Sequence, residues 1–358
     1  MSSYVCQVTE GSDIYPHWCA FAADHPNASY YQSAAFFRFA GSWPEAEPVL
    51  LACTGGDDSK RHVLGSLLAV VVHEPFSGVV AAGRLLKPLF RALSRRTIVY
   101  GGPLLAPAPA LQQQETLLML LQALHDAVGK RSHFIQFRNA YDLSAFCNAF
   151  KSLGYRWQDR LNMLVDTSSE QQAWSSMSSS RRRQVRSSLQ GGATIVASPT
   201  TEQADQLYAI LRELYAKKVR KPLPSKAFFQ TLASAKNDEA QMLVICLDGR
   251  VIGGIACTLL PGRVMHEWYV CGLDNEYRPQ NIYPSVLATW AGVRQAARLH
   301  IPVFDFMGLG QPGIPYGVRD FKARFGGQWV NHGRYVRKNN RWLYAIASAG
   351  FMAWKWIR

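Results

Sequence analysis

At 358 residues, with 48% hydrophobic and 18% charged side chains, the chain has an ordinary folded composition and exceeds what one core usually holds, which excludes a disordered protein and predicts two domains. Its 39 Lys and Arg against 25 Asp and Glu leave a net +14, all of it in the second half: residues 1–180 carry 14 basic and 14 acidic side chains, residues 181–358 carry 25 and 11. Charge placed in this way points to a local anionic partner, whether phosphate, nucleic acid or acidic lipid head, and not to a uniformly cationic coat.

In chain order, Met1 to Tyr15 has no basic stretch followed by an apolar run, so no signal peptide is expected. Helices are predicted around Tyr15–Ala23 and Gln32–Ala40, divided by His25-Pro26-Asn27. Val49–Cys53 and Val63–Val72 read as two strands around the turn Gly55-Gly56-Asp57-Asp58. The second of these is the best apolar run, about half the ~20 residues of a membrane-spanning helix, and His73-Glu74-Pro75 stops it. Leu111–Val128 has Leu117, Leu118, Leu121, Leu124 and Val128 at helical spacing, and the strand His133–Phe137 follows. The Ser- and Gln-rich stretch Asp166–Ser180 is the expected join, giving domains over 1–165 and 166–340 and an aromatic-rich C-terminal helix over 341–358.

Beyond it, Ser178–Ser180 caps a helix carrying Arg181-Arg182-Arg183-Gln184-Val185-Arg186, and Thr200 with Gln203 fits a capping box before Leu207–Tyr215. A further helix begins near Ser225. Met242–Leu247 and Val251–Leu260 form a hairpin across Asp248-Gly249, Val264–Val270 is a third strand, Tyr283–Leu299 a helix and Val303–Phe306 a strand. Helix, helix, hairpin, helix, strand thus occurs in both halves, which predicts an internal duplication. Seven cysteines with no CxxC spacing, four of them (Cys53, Cys246, Cys257, Cys271) in apolar stretches, read as buried free thiols of a reducing cytoplasm. The nine His form no HxH or HExxH set, so neither a metal nor another cofactor is predicted.

This element order, repeated, resembles the tandem acetyltransferase-like (GNAT) fold, an α/β architecture of mixed sheets flanked by helices. Phe304-Asp305-Phe306-Met307-Gly308, a Gly/Pro loop, and then Gly317-Val318-Arg319-Asp320-Phe321-Lys322-Ala323-Arg324-Phe325-Gly326-Gly327 resemble the closing motif of the FemA/FemB/FemX-type aminoacyltransferases. Tyr31-Gln32-Ser33, Tyr100-Gly101-Gly102-Pro103 and the Arg-rich helix ending in Gly191-Gly192 add to the resemblance, which runs over roughly residues 15–340. It implies an acyltransferase that forms an amide on a cell-envelope precursor, with a peptidoglycan stem peptide as acceptor and aminoacyl-tRNA as donor. An N-acyltransferase fed by acyl carrier protein, acting on a lipid or exopolysaccharide precursor, is the first alternative. A basic nucleic-acid-binding protein without catalysis is the second, opposed by the lack of an aromatic stacking motif.

Lys322, between Phe321 and Phe325, could hold its ammonium against a phosphate or a developing oxyanion; a snorkelling surface lysine is the alternative. The resemblance places it at the transfer point. Asp305 could orient the incoming amine, anchor Lys322 or Arg319, or simply cap the Gly308–Gly313 loop. The resemblance further implies that Arg220 binds acceptor phosphate, that Tyr269 lines the channel, and that Arg38 and Tyr100 contribute from the first domain. Phe36 stands where the family usually has Trp, which weakens that last implication. Tyr283, Phe321 and Phe325 complete the acceptor-side candidates. Arg182, Arg183 and Arg186 could meet tRNA phosphates, or form a solvated basic helix. Arg278–Pro284 lacks the glycines with which acetyltransferases cradle coenzyme A, and Pro284 removes an N–H. Residues 84–96 and the Trp-rich tail interleave large apolar and basic side chains, which suits peripheral contact at the inner face of the cytoplasmic membrane.

Overall fold

The computed structural model describes residues 3–56, 62–73, 94–340, 342–345 and 349. The chain forms two compact units, residues 1–159 with 332–358, and residues 160–331.

In the first unit, strands run in the order β1 (Tyr4–Val8), β2 (Ala46–Gly55), β3 (His62–Val72), β4 (Arg96–Gly101), β6 (Phe134–Asn139), β15 (Arg334–Lys338) and β7 (Arg156–Gln158), with β5 (Leu104–Leu105) beside β3. The helix α3 (Ala110–Val128) buries Leu117, Leu120, Leu121, Leu124 and Val128 against Leu51, Ala69, Val99 and Phe137. The opposite face is covered by α1 (Ile14–Asp24) and α2 (Ala34–Ser42), which bring in Trp18, Phe36 and Phe39.

The second unit holds the sheet β14 (Gln328–Val330), β8 (Asn162–Asp166), β13 (Val303–Asp305), β12 (Val264–Gly272), β11 (Arg250–Leu260), β10 (Ala240–Leu247) and β9 (Thr194–Val196). Its core lies between this sheet and the helix Pro284–Arg298, whose Val286, Leu287, Trp290 and Val293 are buried with Ile255, Cys257 and Phe304. The cap residues behave as their chemistry requires: Ser178 accepts from the Arg181 amide, and Thr200 and Gln203 bond each other's backbone reciprocally. Asp248 and Gly249 sit at φ 49° and 77°, the paired left-handed turn that matches the twist of a hairpin.

The duplication is present in the topology. An antiparallel meander (β2–β3–β4; β10–β11–β12) is followed by a helix and then by a strand parallel to the third (β6 beside β4; β13 beside β12). The unit boundary falls earlier than expected. Residues 162–166 pair with β13, so the chain joins the second unit at residue 160, and residues 334–338 pair with β6, so it returns to the first at residue 332. The expected join, 166–180, instead lies within the second unit and forms the helix Glu170–Ser176 and the start of Ser179–Gln190.

Of the membrane-leaning segments, residues 84–93 and most of the tail lie outside the described residues; Tyr344, within a helical turn at 342–345, packs on Phe134 at 5.5 Å and under the Lys338 ammonium at 4.2 Å. No helix among the described residues is long and apolar enough to cross a membrane.

Gly326 of the closing motif has a structural task. Its φ is 78°, and a Cβ there would collide with the Ser176 carbonyl, while Ser176 Oγ donates to the Phe325 carbonyl at 3.2 Å. Gly326→Ala is therefore expected to cost about 2–4 kcal/mol, read as a drop in the urea midpoint of the second unit.

Candidate active site

The strands β12 and β13 run parallel, but pair over Val264–His266 and Val303–Asp305 only. Two local features accompany the end of pairing. In β12, Cys257 opposes Glu267 and Ala256 opposes Tyr269, so Trp268 is an extra, bulged residue. After β13 the chain turns through left-handed backbone at Met307 (φ 46°), Gly308 (φ 62°) and Gly310 (φ 79°).

Lys322 bridges the two strands just past this point. It comes from the short helix Gly317–Ala323 and is 6% exposed. Its Nζ lies 2.6 Å from Glu267 Oε1 on the β12 side and donates to the Phe306 carbonyl at 2.6 Å on the β13 side. The ammonium is thus neither snorkelling nor solvated; it is a buried cation with a carboxylate partner. The second carboxylate oxygen, Glu267 Oε2, is buried and has no hydrogen-bond partner among the described residues. Burial raises the Glu267 carboxyl above its ordinary value, against the pull of the Lys322 ammonium. A carboxylate held in this way is a stronger base than one in water, beside a cation that can face a developing oxyanion.

Asp305 is buried, and its Oδ1 accepts from Asn162 Nδ2 and from the Met307 amide, each at 2.6 Å. These bonds anchor the start of the glycine loop, the capping role among those expected for it. Arg319 holds the same loop from the other side, donating to the Leu309 carbonyl at 3.0 Å and to that of Gln311. Phe325 is fully buried in the core, so its expected place along an acceptor path is corrected to packing. Phe321 is half-buried and lies under the Arg181 guanidinium at 4.4 Å.

Tyr269 joins Phe228, Phe229, Tyr215 and Trp268 in an aromatic group with ring centroids 5.0–6.2 Å apart. The Tyr215 hydroxyl is pushed up to about 12, by burial first and then by Cys271, Tyr316 and Glu267. Arg220 ends the π-turn Tyr215–Val219 in left-handed backbone (φ 50°) and is exposed. Tyr283 packs half-buried against the core, and its amide donates to Ser188 Oγ at 2.9 Å. At the N-terminus of the following helix, the Ser285 amide and hydroxyl both donate to the Asp274 carboxylate. A carboxylate thus stands where acetyltransferases of this fold receive a pyrophosphate.

The arginine run divides. Arg181 is buried, donates to the Phe321 carbonyl at 3.2 Å and to Gln184 Oε1 at 2.6 Å, and is pushed down to about 10 by burial. Arg182 donates to the carbonyls of Ser175 (3.1 Å) and Met177, binding the end of the preceding helix. That occupation corrects its reading as a free phosphate ligand. Arg186 is exposed with its guanidinium 5.3 Å over Trp174, and Arg183 is exposed. In the first unit, Arg38 is exposed on α2, whereas Tyr100 is buried, stacked on Tyr31 at 5.2 Å with Arg138 over its ring at 5.1 Å. Its burial at 5% exposure corrects Tyr100 from a substrate contact to a core residue.

Sequence reasoning missed Glu267, Arg181, Asn162 and Tyr215. Only Glu267 left a signal: an acidic residue, beside His266, in a strand otherwise of apolar and aromatic side chains over Val264–Val270.

Residues 175–323 match the family model described as an acetyltransferase (GNAT) domain. The whole chain is similar in fold to FemX, at 13% identity with 97% of this chain and 99% of that one covered and a TM-score of 0.64. A tandem GNAT protein from the clavulanic acid biosynthesis pathway aligns at 10% identity, 95% and 99% coverage and a TM-score of 0.57. The C-terminal domain of a putative lysylphosphatidylglycerol synthetase from Agrobacterium fabrum aligns at 14% identity, 93% and 94% coverage and a TM-score of 0.51. No curated protein matches the sequence.

Proposed function

We propose that this chain, which is similar to GNAT acetyltransferase domains over residues 175–323 and to FemX in fold, is an acyltransferase that moves an aminoacyl group from aminoacyl-tRNA to an amine of a cell-envelope precursor, with a peptidoglycan stem peptide as first candidate. The observation that carries this reading is the buried Lys322–Glu267 pair with one carboxylate oxygen unengaged. The acceptor ammonium gives a proton to Glu267 Oε2, and the free amine attacks the donor carbonyl carbon. The C–N bond forms while Lys322 faces the oxyanion. As the C–O bond to the ribose breaks, the second proton of the attacking nitrogen passes to the ribose oxygen, which leaves as a hydroxyl, and Glu267 releases the first proton to solvent. Lys322 and Glu267 are the catalytic residues in this scheme; Asp305, Arg319 and Arg181 position them.

The Asp274 carboxylate at the helix start favours a donor other than coenzyme A, because two anions would compete for the same amides. The basic excess of residues 181–358 suits a polyanionic donor such as tRNA, with Arg183 and Arg186 as its exposed candidates.

The test is incubation with labelled aminoacyl-tRNA, acyl carrier protein thioester and acetyl-CoA in turn, with mass analysis of stem-peptide and phosphatidylglycerol acceptors. Aminoacyl transfer to the peptide is expected; equal acetyl transfer from acetyl-CoA would overturn the donor assignment. The rate is expected to fall on acidification with a midpoint above 4.5, because burial raises the Glu267 carboxyl and only its ionised form accepts the proton.

A further inference from the structure

In the first unit, Val99, Ile135, Phe137 and Tyr335 face the core beneath α3, so the alternate residues of β4, β6, β15 and β7 face the other way. The register lines those residues up. Ile98, Gln136, Val336 and Arg156 stand side by side in one row, Tyr100, Arg138, Arg334 and Gln158 in the next, and Phe134 is paired with Lys338. With Arg96, two residues before Ile98, this face carries Arg96, Arg138, Arg156, Arg334 and Lys338, and no acidic residue of the four strands.

At the edge of the sheet the face is hollowed. A cavity of about 400 Å³ is lined by Gly154, Arg156, Gln158, Val336 and Lys338. Val336, 7% exposed, gives it an apolar wall, beside which water competes less with charged contacts. Arg156 and Lys338 are exposed, and neither has an ion-pair partner among the described residues; Lys338 lies 4.2 Å over the Tyr344 ring. Asp159, the acid next to β7, accepts from the indole of Trp157, a residue of the opposite face, at 3.0 Å. Arg156 is opposite Val336, and Lys338 is two residues further on, a diagonal neighbour about 7–8 Å away at the backbone. Both side chains can therefore reach one group held between them.

We propose that this cavity is a binding site for a small phosphomonoester, with its phosphate held by the Arg156 guanidinium and the Lys338 ammonium and the Gln158 amide as a further donor. A phosphomonoester carries about −1.5 to −2 at neutral pH, which two cations match; a carboxylate would leave one of them uncompensated. The guanidinium fork engages two phosphate oxygens at once and leaves the third to the lysine. A cavity of this volume falls among small-ligand sites, roughly 300–1,000 Å³, and has room for the organic part of the ligand. The proposal is independent of the acyl-transfer reading, and its test reads no activity.

The experiment is calorimetric titration of the full chain with glycerol 3-phosphate. Saturable binding is expected, and Arg156→Ala and Lys338→Ala are each expected to weaken it about tenfold. Both side chains are exposed, so thermal melts should not move. Lys218→Ala, an exposed cation of the second unit, is expected to leave the affinity unchanged. No saturable binding, equal affinity in Arg156→Ala and Lys338→Ala, or equal weakening in Lys218→Ala overturns the site. Polyuridine that binds more tightly than glycerol 3-phosphate and is weakened by the same two substitutions overturns the small-ligand assignment in favour of RNA. Competition by phosphatidylcholine vesicles containing phosphatidic acid would identify a lipid as the source of the phosphate, and its absence a soluble ester; either result upholds the site.

Discussion

Lys322→Met is expected to abolish transfer and to lower the stability of the second unit by about 3–5 kcal/mol, the usual cost of removing one partner from a buried ion pair. The reason lies in Glu267, which is 4% exposed and already has one unpartnered oxygen. Without the ammonium, its carboxyl stays protonated further above its ordinary 4.5, since burial already acts in that direction. A folded-state pKa raised in this way gives stability that is fully present below the unfolded pKa and lost as pH rises through the folded one. The variant should therefore be more stable at about pH 5 than at about pH 8, measured by urea unfolding followed by circular dichroism.

Lys322→Met combined with Glu267→Gln removes both charges and is expected to regain most of the stability but none of the activity. If the double variant keeps transferring, the pair is structural and the catalytic assignment fails. If the double variant remains as unstable as the single one, the ion pair is not what the lysine contributes to folding.

The second large effect concerns the arginine run. Arg181→Ala removes a guanidinium 4.4 Å over Phe321 and 5.5 Å over Phe325, together with its bonds to the Phe321 carbonyl and Gln184. The expected loss is about 3 kcal/mol, from the cation–π contacts, the hydrogen bonds and the space left by the side chain. Because Phe321 precedes Lys322 on the same short helix, kcat is expected to fall further than stability alone explains. Arg183→Ala, two residues on and exposed, is expected to change stability by less than about 0.5 kcal/mol. Its effect should appear in the salt dependence of tRNA binding, with a shallower slope in the variant. Equal melting shifts for Arg181→Ala and Arg183→Ala would show that the cation–π packing contributes little.

Several features were legible because they rest on neighbours in sequence. Capping needs a hydroxyl and a partner three residues on, as in Thr200 and Gln203. The Asp248-Gly249 hairpin needs two residues that accept left-handed backbone. The helix 110–128 shows its buried face as a spacing of leucines. The repeat of these local signals was enough for the α/β class and the duplication. Short strands were not legible: β7, β8, β14 and β15 have three to five residues each, too few for a periodicity. They also decide where the units divide, which is why the boundary moved.

At the site, the sequence by itself determined that Lys322 sits between two phenylalanines in a family-like motif, and that +14 belongs to residues 181–358. Only the tertiary structure decided what that lysine is. Its partner Glu267 lies on a strand far away in sequence, and the two meet where β12 and β13 stop pairing after His266 and Asp305. Likewise, four arginines look alike in sequence, yet folding buries Arg181 and leaves Arg183 in water. Burial and charge pairing are properties of distance in space, and a chain states only distance along itself.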